Sequence, residues 1–200
     1  IQMSDCNRKQ LFIDPMCGSG TFLIEAALIA INRPPNISRK FFGFQKWNNY
    51  NELTFNKVKA ELLQEEKKIH EKILGFDISA SAILIAKQHV RNMNLQEIIK
   101  INGSDFLNSN GFKEAAIFLN PPYGKRISLK ENYYKEIGDT LKKNYTNTSA
   151  WIISSDLDAI KKIGLKASKK IKLFNGALEC RLVNYKLYAG SKKFNKPQNG

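Results

Sequence analysis

A glycine-containing turn near the start of the sequence has the spacing of a ligand-binding site. Gly18 and Gly20 lie in the segment Asp-Pro-Met-Cys-Gly-Ser-Gly-Thr over residues 14–21, between a predicted strand over 11–14 and a predicted helix over 21–31. Glycine lets the backbone pass close to a ligand, and in open α/β sheets ligands bind beyond the carboxyl ends of the strands. Such a turn can hold the pyrophosphate of a dinucleotide or the amino-acid half of S-adenosylmethionine.

The residues after the turn distinguish between these ligands. A dinucleotide fingerprint requires a third glycine at position 23, where Leu23 stands, and a triphosphate-binding loop requires a lysine after the second glycine, where Thr21 stands. The turn therefore favours S-adenosylmethionine. The residues predicted to contact it here are Asp14, Met16, Cys17, Gly18, Ser19, Gly20 and Thr21.

Two acidic residues near the ends of later strands fit the adenosine half of the same ligand. Asp77 lies at the end of a predicted strand over 72–78 and Asp105 at the end of one over 98–105. Asp77 can accept hydrogen bonds from both ribose hydroxyls, and Asp105 can accept one from the adenine amino group. Ile78 and Phe106 directly follow these acids and are predicted to sandwich the adenine ring. Either acid alone is explained as a helix cap, but together with the glycine turn they favour a cofactor site.

Asn120, Pro121, Pro122 and Tyr123 follow a predicted strand over 115–119 and resemble the motif of methyltransferases that act on amino groups. In that group the Asn side-chain carbonyl and the backbone carbonyl after it hold a planar amine, while the Tyr ring stacks on the substrate. The resemblance implies that all four residues are catalytic and that Asn120 also contacts the cofactor.

The chemistry of an exocyclic amine agrees with this motif. Its lone pair is delocalised into the ring of the base, so two acceptors on its hydrogens help to direct that pair toward the methyl group. The two prolines stiffen the turn and remove competing N–H donors. A base in a duplex cannot present its amine to the methyl group, so it must be single-stranded or flipped out. Neither a metal nor a nucleophilic cysteine is required.

Alternating strands and helices must position these residues. Further strands are predicted over 151–155, 167–174 and 178–188, and further helices over 52–70, from residue 79, over 129–144 and over 156–163. Short apolar runs that alternate with helical patterns are typical of βαβ units and a parallel sheet. The dipeptide Asn175-Gly176 between the last two strands predicts an antiparallel hairpin.

The composition is that of a globular protein with a polyanionic partner. The 200 residues include 32 Lys and Arg against 18 Asp and Glu, a net charge of +14 that favours nucleic acid or an acidic membrane surface. No apolar run approaches the roughly 20 residues of a membrane-spanning helix, and nothing in the first residues reads as a signal peptide. The three cysteines lack metal spacing, and His70 and His89 lack acidic or cysteine partners, so we predict no metal site and a cytoplasmic location.

A more specific resemblance covers nearly the whole chain. The segments 14–27, 75–78, 120–126 and 173–182 are similar to the bacterial family of large-subunit ribosomal RNA guanine-N2-methyltransferases called RlmL. The resemblance implies a doubly wound, Rossmann-like class I methyltransferase fold, α/β, with a seven-stranded, mostly parallel sheet that ends in an antiparallel hairpin. It also implies S-adenosylmethionine as cofactor, N2-methylguanosine as product and 23S rRNA as substrate. Lys125 and Arg126 extend the motif and suit a phosphate backbone.

The family also sets expectations for the domain organisation. Its members carry an N-terminal THUMP module that binds RNA, and we expect this module in the full-length protein. Residues 1–190 are predicted to be one methyltransferase domain with an insertion at about 32–70, and residues 191–200 a mobile basic tail.

Three alternatives remain at the sequence level. The same chemistry acts on adenine in DNA and on the side-chain amide of a glutamine in proteins, and both use an Asn-Pro-Pro-Tyr motif. A non-catalytic RNA-binding module with the same fold is the third. The paired cations Lys125 and Arg126 favour a nucleic acid over a protein, and the intact motifs favour an enzyme.

Overall fold

A computed structural model describes residues 1–4, 10–37, 39–69, 73–122 and 132–189. The chain divides into two compact units, Ile1–Asp105 and Phe106–Gly200. The expectation of one domain over 1–190 stays a prediction, and the predicted tail over 191–200 lies outside the described residues.

The described residues of the first unit form three parallel strands and three α-helices. Strands β1 (Leu11–Asp14), β2 (Ile73–Asp77) and β3 (Ile99–Gly103) lie in the order β3-β2-β1. Helices α1 (Thr21–Ala30) and α2 (Glu52–Gln64) connect β1 to β2, and α3 (Ala80–Asn92) connects β2 to β3. Parallel strands end at one edge of a sheet, so the residues that follow β1, β2 and β3 meet there.

Helix α1 is apolar on nearly all sides and lies close to the sheet. Its sequence, Thr-Phe-Leu-Ile-Glu-Ala-Ala-Leu-Ile-Ala, buries Leu23 and three further residues, as expected for a helix without a polar face. A Cβ on Gly75 in β2 would collide with Cδ1 of Leu23. Glycine at this position therefore permits the close approach of α1 to β2.

The insertion between α1 and β2 has its own small aromatic cluster. The rings of Phe42, Tyr50 and Phe55 pack around Phe44, with centroid separations of 5.3 to 6.1 Å from it. Helix α2 begins after Asn51, whose side chain accepts a hydrogen bond of 2.8 Å from the amide of Thr54, a typical N-cap.

The predicted helix over 52–70 is too long, because α2 ends at Gln64. After it, the amide of Lys67 donates a hydrogen bond of 2.7 Å to the carbonyl of Ile31, at the end of α1. Arg33 forms an ion pair of 2.8 Å with Glu66. These contacts with the segment after α1 replace the next helical turn, and residue 70 lies outside the described part of the chain.

In the second unit, residues 106–122 and 132–189 form four further strands and two α-helices. Strands β4 (Ala115–Leu119), β5 (Ser149–Ser154), β6 (Lys169–Asn175) and β7 (Leu178–Lys186) lie in the order β4-β5-β7-β6. β4 and β5 are parallel, and β7 is antiparallel to both β5 and β6. Helix α4 (Tyr133–Asn144) precedes β5, and α5 (Leu157–Lys161) follows it. All five residues of β4 are buried, as expected for a strand that reads as a continuous apolar run.

The predicted fold class is confirmed: α/β, with seven mostly parallel strands and an antiparallel hairpin at the end. Every predicted strand is present, with bounds within about two residues of those expected. The hairpin turns at Gly176, whose φ of 62° is in the left-handed region that the Asn-Gly dipeptide indicated. None of the helices in the described part of the chain is long and apolar enough to span a bilayer.

Candidate functional site

The glycine turn after β1 folds back onto the end of β2. The amide of Cys17 donates a hydrogen bond of 2.9 Å to the carbonyl of Phe76, and the amide of Gly20 donates one of 2.8 Å to the carbonyl of Cys17. Gly18 and Gly20 have φ values of 51° and 83°, which L side chains rarely adopt. A Cβ on Gly20 would stand 3.2 Å from Cβ of Ala86 in α3, so the second glycine also serves close packing.

The space beside Gly18 has a different character. A Cβ built on Gly18 would have no atom within 4 Å among the described residues beyond its chain neighbours. The backbone is therefore accessible at this point, which is what a ligand that approaches the turn requires. Gly20 thus packs against α3, whereas Gly18 leaves the backbone of the turn open, and its contact with a cofactor stays a prediction.

Asp77 holds the turn in place from the end of β2. Its Oδ2 accepts a hydrogen bond of 2.8 Å from the amide of Gly18, and its Oδ1 accepts one of 2.9 Å from the amide of Ser79. The Ser79 hydroxyl in turn caps α3 by accepting from the amide of Ala82 at 3.3 Å. A carboxylate has about four lone-pair sites, so these two bonds leave capacity for ribose hydroxyls.

His89 was not predicted from the sequence as a site residue, but the structure places it against the glycine turn. Its Nδ1 lies 3.0 Å from the backbone carbonyl of Ser19, and because a carbonyl only accepts, Nδ1 carries the proton and donates. His89 follows Ala86, the contact of Gly20, by three residues on the same face of α3. That helical spacing is the signal that would have indicated it.

Asp14 is a carboxyl group buried at the end of β1. It is 2% exposed, and its Oδ1 accepts a hydrogen bond of 3.1 Å from the amide of Met16. Burial raises its pKa to about 8, opposed by the hydrogen bond from Met16 and reinforced by the nearby charge of Asp77. Burial therefore favours the protonated form of Asp14 well above the usual pH range of a carboxyl group, and in that form it can act as a hydrogen-bond donor.

Cys17 is unsuited to nucleophilic chemistry at neutral pH. Burial, together with the negative charges of Asp14 and Asp77, raises the pKa of its thiol to about 12. The thiolate is the reactive form of cysteine, and it is scarce at a pH so far below the pKa. The structure thus agrees with Cys17 as a small apolar group beside the turn.

The residues predicted to hold the adenine ring differ in exposure. Ile78 is 76% exposed, as a side chain that meets a ligand should be, and Asp105 is half-buried two residues after β3. Phe106 belongs to the second unit, is 3% exposed and packs on Tyr145 with a centroid separation of 5.4 Å. A ligand would reach only its small exposed part, and the adenine contacts of all three residues stay predictions.

In the second unit, the segment after β4 presents a polar side chain directly beyond a buried strand. Asn120 is exposed, whereas Pro121 is buried and Pro122 half-buried. The rigid dipeptide after Asn120 therefore anchors the turn while the amide side chain faces outward. Tyr123, Lys125 and Arg126 lie outside the described residues, so their predicted roles are untested. Within the described ranges, no group of three His, Cys, Asp or Glu residues has the arrangement of a metal site.

Comparisons with known proteins place this chain among methyltransferases. Residues 1–184 match the model of the family UPF0020, described as RMKL-like, methyltransferase domain. The ribosomal RNA large subunit methyltransferase K/L of Shewanella oneidensis is 36% identical over 193 residues, which cover 92% of this chain and 27% of that protein. The chain thus spans about a quarter of the length of the curated relatives that it matches.

Solved structures share the fold over almost the whole chain. The structure of SMU.472 in complex with SAH, the demethylated form of S-adenosylmethionine, has a TM-score of 0.83 and 31% identity and covers 95% of this chain and 51% of its own. A structure from Listeria monocytogenes described as a predicted N6-adenine-specific DNA methylase has a TM-score of 0.81 and 28% identity, with coverage of 93% and 49%. The Rossmann-like methyltransferase fold predicted from the sequence is therefore confirmed.

Proposed function

This chain belongs to the UPF0020 family of RMKL-like methyltransferase domains, and we propose that it transfers a methyl group from S-adenosylmethionine to the exocyclic amine of a guanine in 23S rRNA. The N–CH3 bond forms as the sulfonium S–CH3 bond breaks, so that the products are N2-methylguanosine, SAH and one proton, which passes to solvent. The observation that carries the proposal is the bond between the Gly18 amide and the Asp77 carboxylate, since it joins the two predicted cofactor elements in one site.

The polar and apolar groups of the first unit fit S-adenosylmethionine part by part. The accessible backbone at Gly18 suits the amino-acid half, and the remaining lone pairs of Asp77 suit the ribose hydroxyls. Ile78 offers an exposed apolar side chain to the adenine, beside which Asp105 accepts from the amino group. When bound, S-adenosylmethionine supplies an electrophilic methyl group on a sulfonium.

Asn120 and the backbone after it act on the methyl acceptor. The side-chain carbonyl of Asn120 and the backbone carbonyl of Pro121 each accept a hydrogen bond from one N–H of the amine and fix its orientation. This arrangement favours the geometry in which the nitrogen lone pair faces the methyl group, so that orientation and electrostatics lower the barrier. The exposed Asn120 on a buried, proline-stiffened turn supports this role.

The remaining predicted residues act on the RNA. Tyr123 stacks on the extruded guanine and offsets part of the energy of unstacking. Lys125 and Arg126 contact phosphates, in keeping with the net charge of +14. A ribosomal RNA substrate would place the reaction in the cytoplasm, and a THUMP module elsewhere in the full-length protein would bring the target to this domain.

A second candidate substrate is adenine in DNA, because one structural neighbour is described as a predicted N6-adenine-specific DNA methylase. Both bases present an exocyclic amine, so the arrangement of Asn120 and Pro121 suits either. The 36% identity to a ribosomal RNA methyltransferase over 92% of the chain favours guanine in RNA.

The nature of the methylated product tests the proposal. The protein is incubated at stoichiometric concentration with labelled S-adenosylmethionine and either ribosomal RNA from a strain that lacks the full-length enzyme or unmethylated DNA, and the nucleosides are separated. We expect label in N2-methylguanosine from RNA and none with the Asn120→Ala variant. Label in N6-methyladenine from DNA would support the second candidate. Binding of S-adenosylmethionine without labelling of either polymer would contradict both.

A further inference from the structure

The tip of the β6–β7 hairpin carries an exposed aromatic ring among charged side chains. We call Lys172, Phe174, Glu179 and Arg181 the tip cluster. Phe174 pairs with Glu179 and Lys172 with Arg181 across the two strands. Because directly opposed residues of an antiparallel pair point to the same face, and residues two apart on a strand do so as well, all four side chains share one face of the hairpin.

The strand directions bring the tip cluster to the same edge of the sheet as Asn120. β4 and β5 are parallel, β7 runs against β5, and β6 runs against β7. β6 therefore runs in the direction of β4, and both strands end at one edge. Asn120 follows the end of β4 and Phe174 is the penultimate residue of β6, so this edge carries both the predicted amine-binding residue and the exposed ring.

The register gives the spacing along this edge. Leu119 aligns with Ile152, which aligns with Val183, so Asn120 lies level with Leu182 of β7. Arg181 therefore lies about one residue farther toward this edge than Asn120, and two strands away from it. With strands about 4.8 Å apart and about 3.3 Å per residue, the backbone of Arg181 is roughly 10 Å from that of Asn120. The backbone of Phe174 is roughly 15 to 20 Å away by the same reasoning. A short stretch of single-stranded nucleic acid spans this range.

Phe174 contributes little to the core of its unit. It is 64% exposed, and the ammonium of Lys172 lies over its ring, 5.2 Å from the centroid. An exposed aromatic face next to a cation is what nucleic-acid-binding proteins use to stack a base beside a phosphate. A single exposed hydrophobic residue is ordinary by itself, so the argument rests on its position beside these cations.

Glu179 fixes the two cations of the tip cluster. Its carboxylate accepts from Lys172 at Oε2 and from Arg181 at Oε1, each at 2.6 Å. An ammonium has three N–H donors and a guanidinium five, so one bond from each leaves donors for phosphate oxygens. The lysines at 166, 169 and 170 add positive charge to the same segment. Positive charge thus surrounds the Phe174 ring, which is already in contact with Lys172. This arrangement favours a partner that carries both negative charge and aromatic bases.

We propose that the tip cluster docks single-stranded RNA next to the methylated guanine, with a flanking base stacked on Phe174 and its phosphate held by Arg181 and Lys172. The inference rests on the proposed function and adds a second contact point for the substrate. Because Arg181 and Phe174 lie at different distances from Asn120, the RNA would follow the sheet edge outward from the reacting base. Stacking is tolerant of sequence, so this contact orients the RNA without selecting a base.

Variants of Phe174 separate stacking from simple hydrophobicity. Phe174→Trp keeps an aromatic face, Phe174→Leu keeps an apolar side chain without one, and Phe174→Ala removes both. The probe is a short single-stranded RNA with one central guanine and 2-aminopurine beside it, whose fluorescence falls when that base stacks. We expect the affinity for RNA to fall about tenfold in the Ala and Leu variants and to stay near wild type in the Trp variant. Quenching of 2-aminopurine should be lost with the affinity.

Phe41 provides a matched control. It is 51% exposed, and the ammonium of Lys46 lies 5.7 Å from its ring centroid, but it belongs to the insertion in the first unit. Phe41→Ala should leave the RNA affinity and the quenching unchanged. When the logarithm of the RNA affinity is plotted against the logarithm of the salt concentration, the steepness of the line reports the number of phosphate contacts. Arg181→Gln should reduce this steepness by about one, because one phosphate contact is lost.

The outcomes distinguish this inference from the proposed function. Calorimetry with SAH and thermal melting of each variant establish that the cofactor site and the fold are intact. If the wild-type protein methylates RNA and the Phe174→Ala variant binds RNA and quenches 2-aminopurine like wild type, only the role of the tip cluster is overturned. Equal affinities of the Leu and Trp variants would overturn stacking. Wild-type protein that binds SAH but neither binds nor methylates RNA would overturn the proposed function.

Discussion

The amide of Gly18 donates a hydrogen bond of 2.8 Å to Oδ2 of Asp77, although 59 positions separate the two residues. This bond fixes the glycine turn after β1 against the acidic residue at the end of β2. The Asp77 carboxylate thus positions the turn, and in the proposed cofactor site its remaining lone pairs would accept from the ribose hydroxyls. Substitutions at Asp77 should accordingly affect cofactor binding by both routes.

Asp77→Ala should weaken binding of SAH by about 1 to 3 kcal/mol, since the ribose hydroxyls lose a charged acceptor and the Gly18 amide loses its partner. Asp77→Asn should be intermediate, because an amide offers one acceptor oxygen in place of two. Isothermal titration calorimetry measures both. Unchanged affinity in the alanine variant would remove Asp77 from the site.

His89→Ala should weaken SAH binding by about 0.5 to 1.5 kcal/mol, the usual net contribution of one hydrogen bond. The loss follows from release of the Ser19 carbonyl, which Nδ1 of His89 contacts at 3.0 Å. Gln88→Ala, at the neighbouring exposed position of α3, is the control and should bind SAH normally. Equal affinities of the two variants would show that the turn does not depend on His89.

Stability should fall as pH rises from about 4 to about 8, because the pKa of Asp14 rises from 3.8 to about 8 on folding. Within this window the native state keeps a proton that the unfolded chain has lost. The free energy of unfolding therefore decreases by up to roughly 1.4 kcal/mol per pH unit, and levels off above the folded pKa.

Asp14→Asn should remove the decrease in the free energy of unfolding that the Asp14 carboxyl causes as pH rises. Urea unfolding at several pH values between about 5 and 8 would measure how steeply the free energy of unfolding depends on pH in each protein. Asp158→Asn is the control, because Lys161 lowers the pKa of this exposed carboxyl, so it remains ionised throughout that range. An identical pH dependence in wild type and Asp14→Asn would mean that Asp14 is ionised in the folded protein.

Asn120→Ala should abolish methyl transfer while it leaves the affinity for SAH nearly unchanged, because the side chain acts mainly on the reacting amine. Asn120→Asp is a useful companion, since it keeps the shape but replaces an amide with a carboxylate. Single-turnover rates and calorimetry on the same preparations separate the two effects. Large losses of both rate and cofactor affinity would assign Asn120 chiefly to the cofactor.

Tyr123→Ala should be severely impaired in methyl transfer, whereas Tyr123→Phe should keep much of the activity. Stacking requires the aromatic ring and not the hydroxyl. The comparison is made as kcat/KM for RNA, with SAH affinity as the check on folding. A phenylalanine variant as inactive as the alanine variant would contradict stacking and indicate a role for the hydroxyl in proton transfer.

The sequence by itself determined the order and type of the elements and the location of the turns that we predict to bind the cofactor and the amine. Alternating apolar runs, the two glycines of the turn and the Asn-Gly of the hairpin are local signals, and local signals are set by backbone sterics and the periodicity of burial. The strand-end acids and the Asn-Pro-Pro segment could be recognised for the same reason, since a parallel sheet brings the ends of its strands to one edge.

Tertiary structure decided the contacts between residues distant in the sequence. Helix α2 ends at Gln64 because Lys67 and Glu66 bond to the segment after α1, which no pattern within residues 52–70 reveals. Phe106 is buried while Phe174 is exposed, although both are phenylalanines near the end of a strand. The burial of each phenylalanine depends on its neighbours in space. The same holds for the raised pKa of Asp14 and for the contact of His89 with Ser19. Their energies come from desolvation and long-range pairing, which the sequence order does not encode locally.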